Sequence, residues 1–242
     1  MKAVCLLSGG IDSLTAMVQA QEDGYEVILV SAKYGQKHGV EQMYAHKIAQ
    51  FYDAEITFVD MPDIFHGRSA LMGDIPMPEV AYEELAKLSG PSPTVVPFRN
   101  AHLISVATTL AITKKAEAVY IGVHAEDARN WAYPDCSPEF IGAMMNAVHV
   151  GSYHEVRLVA PLQYMTKAQV VATAIALRAP LRLTWSCYNP IVDEVPFEVV
   201  ACGKCPTCVS RIQAFLACGH IDPMKYSFAI NTNWSGCIYV EQ

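Results

Sequence analysis

Lys2-Ala3-Val4-Cys5-Leu6-Leu7-Ser8-Gly9-Gly10-Ile11-Asp12-Ser13 decides the fold class. Ala3 to Leu7 is an unbroken apolar run, the composition of a short strand buried on both faces. Two glycines break the run. From about Ser13 to Asp23, Leu14, Met17 and Val18 recur at helical spacing, and Gly24 ends the helix. A strand that passes through a glycine turn into a helix opens a parallel α/β unit.

Outward from this stretch the alternation continues. Val27 to Ala32 reads as a second strand; Val40, Met43, Tyr44, Ile48 and Phe51 form one apolar stripe on a helix after Gly39; Ile56 to Val59 is a third strand. A Pro-dense, weakly patterned region runs from about Met61 to Pro97. Beyond it the spacing predicts a helix from about Asn100 to Thr113, a strand from Ala118 to Val123, a helix from about Pro138 to Val150 and a strand near Val156 to Ala160. Thr166 then caps a helix to about Leu177. The predicted architecture is an open parallel sheet with helices on both faces. Ligands of such sheets sit at the carboxyl ends of the strands. Ser8-Gly9-Gly10 follows the first strand, Tyr34-Gly35-Gln36 the second, and His124-Ala125-Glu126-Asp127 the strand at Ala118, so one site could collect all three.

Composition narrows the function. The chain has 242 residues and a formal charge of -7, from 17 basic and 24 acidic residues, which gives no global attraction to nucleic acid or an anionic membrane. Met1 to Leu7 is too short for a signal peptide, and the longest apolar helix stops at Lys114-Lys115, below spanning length. The cytoplasm is the expected compartment. There the eight cysteines are metal ligands, core residues or nucleophiles rather than disulfides. Cys5, Cys136, Cys218 and Cys237 are scattered, whereas Cys202, Cys205 and Cys208 are bunched.

Ser8-Gly9-Gly10-Ile11-Asp12-Ser13 has the makings of a phosphate loop. Glycines let backbone N–H groups approach an anion, the helix start adds partial positive charge, and Ser8 and Ser13 add hydroxyls. Asp12 would hold the loop or a magnesium ion. Any two of these residues also make an ordinary capped turn; the whole set in register favours phosphate. The loop lacks the Gly-Lys-Ser/Thr ending of a Walker motif and the glycine spacing of a dinucleotide fold. Lys167, after the Thr166 cap, is placed for a phosphate or is simply solvated. Arg99-Asn100 is a substrate clamp or an exposed loop pair. The eight histidines show no metal-ligand spacing and most read as surface or loop residues.

Cys202-Gly203-Lys204-Cys205-Pro206-Thr207-Cys208 brings three thiols together through tight turns. Zinc takes four ligands, and Cys187 or Cys218 can be the fourth. Structural zinc is the favoured reading, with an iron-sulfur cluster as the alternative.

The loop resembles the pyrophosphatase-loop family, whose members cleave ATP between the α and β phosphates. The wider set is similar to the 7-cyano-7-deazaguanine synthase (QueC) family. It comprises Leu7 to Ser13, Tyr34 to His38, Val96 to Asn100, Ile121 to Asp127, Tyr133 to Cys136, Thr184 to Cys187 and Cys202 to Cys208. The resemblance implies an adenine nucleotide alpha-hydrolase-like fold, with residues 1–185 as the nucleotide-binding domain and 186–242 as a zinc-stapled segment. It implies ATP, Mg2+ and Zn2+ as cofactors, 7-carboxy-7-deazaguanine and ammonia as substrates, and a homodimer. ATP would be bound by Leu7, Ser8, Gly9, Gly10, Ile11, Asp12, Ser13 and Lys167. Tyr34, Gln36, Arg99, Asn100, Glu126, Asp127, Tyr133 and Asp135 would bind substrate or act on it, with Glu126 and Asp135 gripping the guanine-like edge. Cys187, Cys202, Cys205 and Cys208 would bind zinc.

A carboxylate resists attack by ammonia, so the implied reaction first forms an acyl-adenylate, then an amide, then a second adenylate that collapses to the nitrile. The chain departs from the family in the long Tyr188 to Ala201 interval, in a tail beyond Ala217 with Trp234 and Cys237, and at Phe98 and Ala128 to Ala132. Rival readings are an enzyme that stops at the amide, one that joins a deazaguanine to another acceptor such as a protein, or a non-catalytic nucleotide-binding module.

Overall fold

The computed structural model describes residues 1–33, 39–61, 69–70, 92–194 and 197–230. Its parallel sheet is built from β1 (Lys2–Leu6), β2 (Glu26–Lys33), β3 (Ile56–Asp60), β4 (Ala118–Tyr120) and β5 (Arg157–Val159), in the order β3-β2-β1-β4-β5. Side chains alternate between its faces. Val4, Leu6, Ile28, Val30, Val119 and Leu158 face α3 (Arg99–Lys114) and α4 (Pro138–Gly151) through Ile104, Ala107, Ala111, Ile141 and Val148. Ala3, Cys5, Leu7, Val27, Leu29 and Tyr120 face α1 (Ile11–Glu22) and α2 (Val40–Phe51) through Leu14, Met17, Ala45, Ile48 and Ala49. Helices cover both faces, as the alternation predicts.

Two details differ from the sequence pattern. Phe51 leaves the apolar stripe and is 52% exposed, because the small side chains of Ala45 and Ala49 let α2 close on the sheet around Ile48. Its ring instead carries the Arg182 guanidinium at 5.8 Å. The strand expected to reach Val123 ends at Tyr120. Gly122 there presses on the start of α1: a Cβ on it would lie 2.5 Å from the Asp12 carbonyl oxygen.

The chain order reverses between β1 and β4, so the two loops leaving their carboxyl ends diverge and open a crevice. Past β5, α5 (Lys167–Ala176) starts with a full capping box in which Thr166 and Gln169 satisfy each other's backbone. Ile11 and Ala16 of α1, Val170 and Ala174 of α5, and Phe215 of α6 (Pro206–Ala217) share one cluster, so the C-terminal helix is seated beside the loop that precedes α1. The long interval before Cys202 forms an antiparallel pair, β6 (Ile191–Glu194) with β7 (Phe197–Val200). Ile191 pairs with Val200, which returns the chain to within reach of Cys187. Tyr34 to His38, most of Met61 to Pro97, Trp234 and Cys237 lie outside the described residues. No helix among the described residues is long and apolar enough to cross a membrane.

Candidate active site and metal centre

The loop after β1 is held by its own side chains. The Ser8 amide donates to Ser13 Oγ at 3.2 Å, the two hydroxyls lie 3.1 Å apart, and Ser13 Oγ donates to the Gly10 carbonyl at 3.0 Å. Gly10 is the N-cap of α1 and no side chain caps it, so the first-turn amides of Ile11, Asp12 and Ser13 have no intrahelical partner. Gly9 has φ +91, and a Cβ there would lie 2.4 Å from the Glu41 carbonyl oxygen. Close packing on α2 therefore demands this glycine, beyond any need for an anion to approach.

The loop opens into a cavity of about 280 Å³. Leu7, Ser8, Gly10, Asp12, Ser13 and Lys167 line it, as do Arg99, Asn100, Glu126, Asp127 and Tyr133. Gly9 packs behind the loop, and Ile11 points into the core. Asp135 is buried off the wall: its Oδ2 accepts the Asn100 amide at 2.9 Å, and its carbonyl accepts Asn100 Nδ2 at 3.0 Å. In this geometry it caps α3, whose own N-cap Phe98 supplies no side-chain bond. Tyr34 and Gln36 lie outside the described residues. Phe98 and Trp131, 61% and 62% exposed, are not on the described wall.

Glu41 and Ser186, which the sequence did not single out, join the site, and so does His124 of the polar cluster that follows β4. His124 is only 4% exposed, with Nε2 3.4 Å from Asp127 Oδ2 and 3.8 Å from Asp12 Oδ1, so it is not one of the surface histidines. Glu41, in the first turn of α2, lines the cavity; burial pushes its carboxyl up and the nearby Arg99 guanidinium opposes that. Ser186 lines it from the segment before Cys187. An acidic residue just after a helix-starting glycine was the available signal for Glu41, and position beside a metal-type cysteine the signal for Ser186. At Asp12, burial pushes the carboxyl up, but Lys167 and then His124 overcome it and hold it below its usual value. Burial keeps the Cys136 thiol protonated, which removes it as a nucleophile.

At the cavity wall, which Cys187 lines, the sulfurs of Cys187, Cys202, Cys205 and Cys208 lie within 4.8 Å of one another, and Cys187 and Cys202 approach to 3.5 Å. A zinc tetrahedron with bonds of about 2.3 Å sets its sulfurs about 3.8 Å apart, which this spacing fits. Amides of Asn189 and Cys202 donate to Cys187 Sγ, and those of Lys204 and Cys205 to Cys202 Sγ, an arrangement that favours thiolates. Cys218 stands apart, its thiol donating to the Ala168 carbonyl at 3.2 Å.

An open parallel sheet with a Ser-Gly-Gly-x-Asp-Ser loop at its switch point defines a pyrophosphatase-loop α/β protein. Within that class, the chain belongs to the family described as queuosine biosynthesis protein QueC, which matches residues 2–219. A 7-cyano-7-deazaguanine synthase of Methanoculleus marisnigri is 41% identical over 233 residues, covering 93% of this chain and 98% of that one. One of Thermoplasma volcanium is 39% identical over 233 residues, covering 93% and 91%. A solved 4-thiouridine synthetase–RNA complex with bound ATP matches with a TM-score of 0.46 at 17% identity, over 73% of this chain and 40% of that one.

Proposed function

We propose that the chain is an ATP-dependent carbon-nitrogen ligase that converts 7-carboxy-7-deazaguanine and ammonia to 7-cyano-7-deazaguanine. Membership of a family whose curated relatives are 7-cyano-7-deazaguanine synthases supports the reading. The observation that carries it is the uncapped first turn of α1 opening onto a cavity shared with Arg99, Glu126 and Asp127. The unpartnered first-turn amides and the Ser8 and Ser13 hydroxyls receive the phosphates, whose charge the helix start favours. Lys167 holds Asp12 in the loop, and Asp127 supplies a carboxylate for the magnesium that accompanies nucleotide phosphates. Arg99 pairs the substrate carboxylate while Glu126 accepts from the guanine-type amino and ring N–H.

Zinc is the metal we propose for Cys187, Cys202, Cys205 and Cys208, where it would fold residues 186–242 onto the domain formed by 1–185. A cytoplasmic homodimer completes the reading. Since neither Phe98 nor Trp131 is on the described wall, the reading that stops at the amide gains no contact from them.

Mass spectrometry of the products from 7-carboxy-7-deazaguanine, ATP and ammonia tests the proposal. The nitrile is expected, with two AMP formed per nitrile. A time course that ends at the amide with one AMP, and that leaves added amide unconverted, overturns the nitrile assignment while keeping adenylation. Absence of AMP overturns the enzymatic reading.

A further inference from the structure

Ser186 runs alongside the glycine loop. The Trp185 amide donates to the Gly9 carbonyl at 2.9 Å, and a Cβ on Gly10 would sit 3.6 Å from the Trp185 carbonyl oxygen. Two side chains of α6 fix residue 186 there: Thr207 Oγ1 donates to its carbonyl at 2.6 Å, and Arg211 Nη1 donates to its Oγ at 3.2 Å. Arg211 is fully buried and clamped by Asp222, with Nε to Oδ2 at 2.6 Å and Nη2 to Oδ1 at 2.9 Å. Tyr226 donates to the same carboxylate at 2.6 Å, so the guanidinium cannot swing away.

A guanidinium has donors only, so the Ser186 oxygen is the acceptor in that bond and its own proton must go elsewhere. No acceptor for that proton stands among the described residues. Ser186 is half-buried and lines the cavity, and the charge behind its hydroxyl makes it a better donor. Arg211 is also one of the cations that lower the Asp12 carboxyl, so its field reaches the loop.

We propose that Ser186 is an additional phosphate-binding residue, donating to an oxygen of the pyrophosphate group seated on the Ser8 to Ser13 loop, and that Arg211 acts through it as a positioning residue. The inference rests on the phosphate role proposed for that loop.

Calorimetric titration of the full-length protein with inorganic pyrophosphate, and separately with adenosine, provides the test. Ser186→Ala should weaken pyrophosphate about tenfold or more, the loss of one hydrogen bond to a charged group, and leave adenosine unchanged. Ser186→Thr, which keeps the hydroxyl, should stay near wild type. Arg211→Lys should weaken pyrophosphate on its own but add nothing in the Ser186→Ala background, since both act through one bond. Wild-type pyrophosphate affinity in Ser186→Ala, with loss in Ser8→Ala, overturns the role of Ser186 and spares the loop. Equal loss of adenosine affinity overturns it too. If Ser8→Ala also binds as wild type, the loop assignment falls first.

Discussion

Lys167 Nζ lies 2.6 Å from both carboxylate oxygens of Asp12. The contact ties the first turn of α5 to the first turn of α1 across 155 positions of sequence, and both residues line the cavity. It also changes the tasks of both residues. Lys167 reaches any phosphate from a site it already shares with Asp12, and Asp12 keeps its place in the loop despite the anion it must face.

Lys167→Met should therefore cost roughly 1–3 kcal/mol of stability at neutral pH, because it strands a mostly buried carboxylate. The folded Asp12 carboxyl is lowered from 3.8, so the pair's contribution is present above that value and is lost as pH falls through the folded one. Denaturant unfolding of both proteins at neutral pH and near pH 3 checks the sign: the gap should shrink in acid. A gap that widens in acid contradicts the pairing. By the same argument, Asp12→Ala should lower stability as well as ATP turnover.

Glycine substitutions separate packing from backbone freedom. A Cβ on Gly122 meets the Asp12 backbone at 2.5 Å, and one on Gly9 meets Glu41 at 2.4 Å in a left-handed conformation. Gly24 shares the positive φ but has nothing within 4 Å. Gly122→Ala and Gly9→Ala should each displace the loop, cost about 1–3 kcal/mol or more, and remove pyrophosphate release. Gly24→Ala should cost only about 1–2 kcal/mol and leave turnover intact. Unaltered turnover in Gly122→Ala would contradict the close contact.

Much of this was legible in the residues. The β1 to α1 stretch gave the fold class because strand, turn and helix signals agreed within a dozen residues. The cysteine bunch gave three of four clustered sulfurs for the same reason. What separates Cys187 from Cys218 is non-local: the β6–β7 pairing closes the interval before Cys202, while Cys218 is drawn to Ala168. Residue 51 misled because helical spacing marks a stripe but not which side chains are small enough to let the helix approach. His124 and Ser186 gain their environments from groups distant in sequence, Asp12 and Arg211, which periodicity cannot reveal.

For the metal centre, elemental analysis should find about one zinc per chain and no iron. Cys202→Ser or Cys205→Ser should lose the metal and a large part of the stability, since the ligands come from separate segments that the ion joins. Cys218→Ser should retain both. Iron with visible absorbance would replace zinc by a cluster. Zinc loss from Cys218→Ser together with retention in Cys187→Ser would contradict the grouping of the sulfurs.

Asp135 offers the sharpest separation of two roles. If its carboxylate gripped substrate, Asp135→Asn would raise the KM for the deazaguanine and leave the fold alone. The structure instead sets Oδ2 on the Asn100 amide in the first turn of α3, where a negative charge also suits the helix start. Asn100 in turn reaches Cys136 Sγ at 3.2 Å, so the contact ties Arg99 and Asn100 to the 134–136 turn. The substitution keeps an acceptor but removes the charge, and should cost about 1 kcal/mol or more of stability. The KM for the deazaguanine should rise with it, because Arg99 loses its fixed position, while the KM for ATP stays put. Asp135→Ala should exaggerate both effects together. Denaturant unfolding beside steady-state kinetics on the two variants decides the matter: a KM effect with unchanged stability in both would return Asp135 to the substrate.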